Sequence, residues 1–381
     1  MIPLAVPVLG GAELTAVDNA VRSGMVSSVG PEVSLFEREF AEWVGAPYAV
    51  ACSSGTAALH VAMRLSGVDA GALVAVSDFT FMASAAAAHY QGAELLLVDS
   101  SSDDWCMDME LLRDGLQQRR AAGLPLPRVL EVVHILGQPA RIDVAVDLCE
   151  EYGMSLVEDA AEALGATWTE GPFAGRHAGT VGLIGSYSFN GNKIMTTGGG
   201  GMIVTADPEL AAQARHLTTQ ARVPDRGYLH DTIGYNYRLT NLAAALGRAQ
   251  LQRLKQFVES KRRIAARYDA AFAGTGIEVP PRTVDTTSTY WLYSILVPAD
   301  EAASPARRNS LLDHLAAQGV GARALWRPLH DQPPLYSSTH LGGAVGEGLF
   351  QRGVSLPCSA DLAPEDQDTV IRAVQEWVAA L

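Results

Sequence analysis

The feature that most constrains this chain is an alternation. Apolar runs of strand length at residues 48–52, 73–76, 94–99, 129–134 and 155–158 are each separated by polar breaks and stretches of helical period. In the helical stretch 32–44, Leu35, Phe36, Phe40 and Trp43 share one face, and Pro31 suits its first turn. Strands interleaved with helices at short spacing predict an α/β fold with a mostly parallel sheet and helices on both faces. Such sheets hold ligands at the carboxyl ends of their strands. Polar residues collect at those predicted ends: Ser53 to Thr56, Thr80 with Phe81, His134 and Asp159.

The second half reads differently. A helix at 208–217 and a charged loop at 218–231 lead through Gly234-Tyr-Asn-Tyr-Arg-Leu-Thr-Asn241 into one long helix, 242–268. The Pro- and Thr-rich segment 276–289 reads as a boundary. Beyond it, strands at 291–297 and 320–325 and helices at 307–318 and 364–380 fit a small α+β domain. The expected division is a large domain over 1–255 and a small C-terminal domain over 256–381.

Composition excludes several function classes. Hydrophobic residues make up 48% and charged residues 18%, enough for a sizeable core. A formal net charge of −14 argues against nucleic-acid or anionic-membrane partners. The four cysteines (Cys52, Cys106, Cys149 and Cys358) are widely spaced and suggest a reducing compartment. With neither a signal-peptide pattern nor a clean bilayer-length run, a cytoplasmic location is expected. No His or Cys spacing suits a metal, so none is expected.

Chemistry gathers in residues 185–205, where Lys193 sits in a glycine-rich bend between two apolar strands. Desolvation there would lower the lysine pKa and make its amine a nucleophile suited to a Schiff base. An ordinary hairpin lysine is the competing reading. Asp159 ends a strand where a carboxylate could keep a pyridine nitrogen protonated, or could simply cap a helix. The turn Ser53-Ser-Gly-Thr56 could seat an anion on free backbone N–H groups or be a capped helix start. Phe81 could cover a ring or pack in the core.

Six motifs then stand in order: S-S-G-T-A-A-L-H from Ser53, D-F-T-F-M-A-S from Asp78, V-H-I-L-G-Q-P-A-R-I-D from Val133, V-E-D-A-A-E-A-L-G-A from Val157, Y-S-F-N-G-N-K-I-M-T-T-G-G-G-G-M from Tyr187, and G-Y-N-Y-R-L-T-N from Gly234. Together they make the chain resemble the DegT/DnrJ/StrS sugar-nucleotide aminotransferases, a pyridoxal-phosphate family of fold type I. The resemblance covers nearly the whole chain. It implies that Lys193 carries pyridoxal 5′-phosphate as a Schiff base and then shuttles protons. By the same resemblance Asp159 holds the pyridinium nitrogen, Glu162 partners the ring hydroxyl, and Phe81 stacks on the ring. Ser54, Gly55, Thr56 and Ser188 bind the phosphate. Asn236 adds a phosphate contact from a second subunit, implying a homodimer with shared sites, and Arg238 lies near it.

Many members of this family read T-G-E-G-G after the lysine, whereas this chain reads Thr197-Gly-Gly-Gly-Gly201. With T-T-Q-A-R from Thr218 and R-A-L-W-R-P-L-H from Arg323, that version resembles the branch that aminates C4 of UDP-linked 4-keto-6-deoxy-N-acetylhexosamines in bacillosamine and legionaminic acid pathways. The donor is then L-glutamate and the product serves surface glycans. A GDP-perosamine-type synthase is the alternative, and a non-catalytic pyridoxal-binding regulatory protein is the alternative of another class. Family dehydratases replace the lysine with histidine; Lys193 argues against that activity. Trp326, Arg327 and His330 contact the nucleotide on this reading, or else form a structural loop.

Overall fold

The apolar runs form strands, and the polar residues that follow them form turns. The structure is a computed structural model and describes residues 1–224, 227–299 and 305–381 of the chain. In chain order its strands are β1 (Tyr48–Cys52), β2 (Leu73–Ser77), β3 (Glu94–Val98), β4 (Val129–Val133), β5 (Ser155–Asp159), β6 (Thr167–Trp168), β7 (Ile184–Ser188), β8 (Gly201–Thr205), β9 (Thr286–Thr287), β10 (Tyr293–Leu296), β11 (Arg323–Ala324), β12 (Thr339–Leu341) and β13 (Gly353–Leu356). Eight of them build one sheet, ordered β1-β8-β7-β5-β4-β2-β3-β12. Neighbours run parallel except where β8 meets β1 and β7. Strands β2 and β4 are buried along their whole length, as expected for a sheet covered on both faces. The α/β architecture with a mostly parallel sheet is therefore present.

Two hydrophobic clusters flank this sheet. On one side the helix Pro31–Val44 brings Phe36 and Phe40 against Tyr187 and Phe189, with ring centroids 5.1 to 5.4 Å apart. This aromatic block anchors the start of the bend that carries Lys193.

Several features differ from the sequence reading. The long helix is two helices, Asn241–Leu251 and Leu254–Phe272, joined by a tight turn at Gln252 and Arg253. No glycine or proline marks the break. It lets Leu251 and Leu254 both face the core. The segment read as a boundary is docked: β9 pairs with β6, and the Gln138 amide donates to the hydroxyls of Thr283 and Thr286. Finally, β12 joins the large sheet beside β3, although it lies within 256–381. Conversely, the N-terminal segment bonds to the C-terminal part, through an Ile2 bridge to Val320 and the Cys358 N–H donating to the Leu4 carbonyl. The expected strand 320–325 shrinks to β11, which with β10 and β13 forms a three-stranded sheet. Within the charged loop 218–231, residues 225–226 lie outside the described residues.

Candidate active site

The carboxyl ends of β1, β5 and β7 and the turn after β2 converge on a cavity of about 270 Å³. Each end contributes through local rules. After β1, the Ser54 side chain caps the helix Gly55–Leu65 by accepting from the Ala57 N–H at 3.0 Å. A Cβ on Gly55 would lie 2.7 Å from the Ser188 Cβ, so the helix start is pressed against the end of β7 as only glycine permits. The hydroxyls of Thr56 and Ser188 line the same cavity.

The bend from β7 to β8 is held by its own backbone. The Phe189 N–H donates to the Gly200 carbonyl, Thr197 N–H to the Phe189 carbonyl, and Lys193 N–H to the Asn190 carbonyl, at 2.8, 3.0 and 3.0 Å. The indole N–H of Trp291 donates to the Asn192 carbonyl at 2.7 Å and fixes the tip from outside. Lys193 Nζ then lies 3.6 Å from Glu162 Oε1 and 3.8 Å from the centre of the Trp291 ring. Its side chain is only 13% exposed. Burial pulls its pKa below the ordinary lysine value, against the upward pull of Glu162 and Asp159. The amine is therefore more available as a free base than a surface lysine.

Asp159, at the end of β5, is buried and accepts from the Ser84 hydroxyl at 2.9 Å and the Ala161 N–H at 3.0 Å. Burial pushes its pKa up; those two donors and Lys193 oppose the shift. Glu162 accepts from the Leu136 N–H at 2.8 Å, and burial raises it too, with Lys193 the main opposing influence. A largely buried lysine facing two oriented carboxylates, beside a polar helix start, can hold and transfer a proton with little exposure to bulk water.

The family model of the DegT/DnrJ/EryC1/StrS aminotransferases matches residues 7–375. The chain belongs to the DegT/DnrJ/EryC1/StrS aminotransferase family. EpsN of Bacillus subtilis (strain 168) is 38% identical, covering 100% of this chain and 99% of that protein. A GDP-perosamine synthase of Escherichia coli O157:H7 is 34% identical over 99% of this chain and 98% of its own. Among solved structures, the aminotransferase TlmJ from Streptoalloteichus hindustanus superposes with a TM-score of 0.90 at 30% identity, covering 100% and 99% of the two chains. This is a pyridoxal-phosphate-dependent family, and the sheet with its flanking helices is of fold type I.

Not every residue singled out in this family member's sequence reaches the cavity. Ser54, Gly55, Thr56, Phe81, Asp159, Glu162, Ser188, Lys193 and Trp326 line it. Phe81 is 56% exposed there, because it precedes the helix Met82–His89 instead of entering the core. Arg238 is not free for a ligand; it pairs with Glu37 and donates to the Ala51 carbonyl. Asn236 is exposed, its backbone bridged to Thr219 and flanked by the stacked rings of Tyr235 and Tyr237. Arg327 pairs with Asp331 outside the cavity. His330 is occupied by Asp78 and, at 3.3 Å, by Glu347. The sequence reading missed Ser84, Trp291 and Arg323. Ser84 follows Thr80 by one helical turn within a motif already noted, and that offset was the available signal. Trp291 had none.

Proposed function

We propose that this protein transfers an amino group from L-glutamate to C4 of a nucleotide-linked 4-keto-6-deoxy sugar, with a UDP-linked N-acetylhexosamine as the acceptor. The observation that carries the reading is the Lys193 amine, buried between Glu162 and the Trp291 ring at the carboxyl edge of the sheet, in a chain of this family. The glycine-only run after Lys193 supports the UDP-linked acceptor. The similarity to a GDP-perosamine synthase favours a second reading, in which the acceptor carries GDP.

The residues fit pyridoxal phosphate. The first-turn amides of Gly55 and Thr56 have no partner within their own helix, and among the described residues the hydroxyls of Thr56 and Ser188 make no hydrogen bond. These groups, with the Ser54 turn, would hold the phosphate. Asp159, oriented by Ser84 and Ala161, would hold the proton on the ring nitrogen; a cation there favours the carboxylate and offsets the upward push of burial. Glu162 would orient the ring hydroxyl, and Phe81 would cover the ring face. When bound, the cofactor supplies the electron sink for breaking a C–H bond beside nitrogen. Lys193 would bind it covalently at Nζ, and the same amine would take and return the proton at the carbon bearing nitrogen. Trp291 would keep water from that amine on one side.

The exposed Asn236 and the apolar surface of Tyr228, Leu229 and Ile233 support a homodimer in which Asn236 reaches the second copy's site. The test of function is an assay offering UDP- and GDP-linked 4-keto-6-deoxy sugars with L-glutamate, the C4 product being read by NMR. Amination of the UDP-linked N-acetyl sugar is expected. Amination of only the GDP-linked sugar would establish the second reading, and no amination of either would refute both.

A further inference from the structure

One buried acid near the cavity takes no part in the chemistry above. Glu131 is the middle residue of β4, a strand buried along its whole length. Parallel pairing sets it opposite Val76 of β2 and Val157 of β5, so its side chain leaves the sheet on the same face as theirs. Two residues on, Val133 lines the cavity and stands opposite Asp159. Glu131 and Asp159 therefore share a face on neighbouring strands, with the glutamate set back from the cavity. Glu131 is 0% exposed, and among the described residues neither of its carboxyl oxygens has a hydrogen-bond partner. Burial pushes its pKa well above the ordinary carboxyl value, and the charge of Asp159 pushes the same way, so the group keeps its proton.

A neutral carboxyl group without a partner is costly in an apolar interior, and a leucine would pack there without that cost. What the acid supplies is an O–H donor. An ionised carboxylate offers about four acceptor places. On Asp159 the Ser84 hydroxyl and the Ala161 N–H take two, and the ring nitrogen of the cofactor takes a third on the reading above. One place is left. Ser186, opposite Asp159 on β7, is buried on the same face, and its hydroxyl also lacks a partner among the described residues. Of the two, the carboxylic acid is the stronger donor, and Asp159 is the charge that acts on it.

We propose that Glu131 is a positioning residue for Asp159, its acid hydrogen filling the fourth acceptor place on that carboxylate. The two groups are not bonded in the structure. Rotation about the glutamate side-chain bonds closes the gap when the ring nitrogen holds Asp159 in its ionised form. A carboxylate that accepts this further bond binds protons less tightly, so the proton between Asp159 and the ring stays on the ring nitrogen. Glu131 keeps its own proton throughout. This inference rests on the place given to Asp159 above.

The test uses infrared spectra of the apoprotein and NMR of holoenzyme carrying pyridoxal phosphate labelled with nitrogen-15 in the ring. Glu131→Gln keeps an N–H donor; Glu131→Met and Glu131→Leu keep none and differ in shape. Subtracting each variant's infrared spectrum from that of the unsubstituted protein should leave the C=O band of a buried carboxylic acid. In Glu131→Met and Glu131→Leu the ring-nitrogen signal should move towards its unprotonated position. Their turnover should fall about tenfold, the equivalent of one pKa unit. Glu131→Gln should hold the signal close to that of the unsubstituted protein. An unmoved signal in both apolar variants would overturn the proposal, as would a missing acid band. Equal movement in Glu131→Gln would do so too, by making charge and not the donor responsible. So would a signal that moves in Ser186→Ala and in neither apolar variant. Asp159→Asn separates the two readings. If the ring-nitrogen signal ignores it, the place given to Asp159 falls and this inference with it. If the signal responds to Asp159→Asn but to neither apolar variant, only this inference falls.

Discussion

Two buried lysines meet the same tryptophan in opposite ways. Lys261, on the helix Leu254–Phe272, is 4% exposed, and its Nζ donates to the carbonyls of Trp291 and Cys358 at 3.0 and 2.7 Å. Lys193 faces the ring of Trp291, has a carboxylate at 3.6 Å and lines a cavity. Burial alone therefore does not make a lysine reactive. Lys261 spends its protons on carbonyls and ties the helix to the small sheet. Lys193 has an aromatic face and a loosely placed carboxylate instead, so its amine stays available.

The largest contrast should come from Lys193→Ala. Borohydride trapping of the cofactor should vanish and aminotransfer fall by at least about 10³-fold, while thermal unfolding changes little. Persistent trapping would assign the link to another lysine, with Lys261 the first to examine. Next, Asp159→Asn should keep trapping yet lower turnover by about 10²-fold, equivalent to about two pKa units at the ring nitrogen. An unchanged rate would remove Asp159 from its proposed role. Lys261→Met should do the reverse of Lys193→Ala. It leaves two buried carbonyls without their donor, so stability should drop by about 3 kcal/mol in urea unfolding while trapping persists.

The smallest effect is a shift in pH dependence. The Lys193 amine should react with added pyridoxal phosphate in the apoprotein with a midpoint below the 10.5 of an ordinary lysine. Glu162 acts on that amine by favouring its charged form, so Glu162→Gln should move the midpoint further down. An unmoved midpoint would mean that Glu162 is neutral beside the amine.

How much of this was legible in sequence depends on distance along the chain. Ser54, Gly55 and Thr56 follow β1 directly, and Asp159 ends β5, so the rule that ligands gather at strand ends finds them. Lys193 was readable because its glycine neighbours announce a bend. Arg238 and His330 show the limit. Both were plausible ligand contacts, and both are consumed by acids far away in sequence, Glu37 and Asp78. The break after Leu251 left no mark because neither flanking residue is a helix breaker. It arises from where Leu251 and Leu254 find core.

The sequence by itself determined the α/β sheet, the strand-end turns and the glycine-rich bend that carries Lys193, because each depends on local periodicity and turn chemistry. Only the tertiary structure decided which polar groups remain free. It brought Trp291 across 98 positions to Lys193, added β12 to the large sheet, and left Arg323, among the described residues, without a hydrogen bond or ion pair at the cavity. It also separated Gly199 from its neighbours in the glycine run. Three of those glycines are required by backbone conformation or packing, whereas a Cβ on the fourth, Gly199, would meet nothing within 4 Å. The sequence writes all four alike, since what a missing Cβ would touch is a property of the fold.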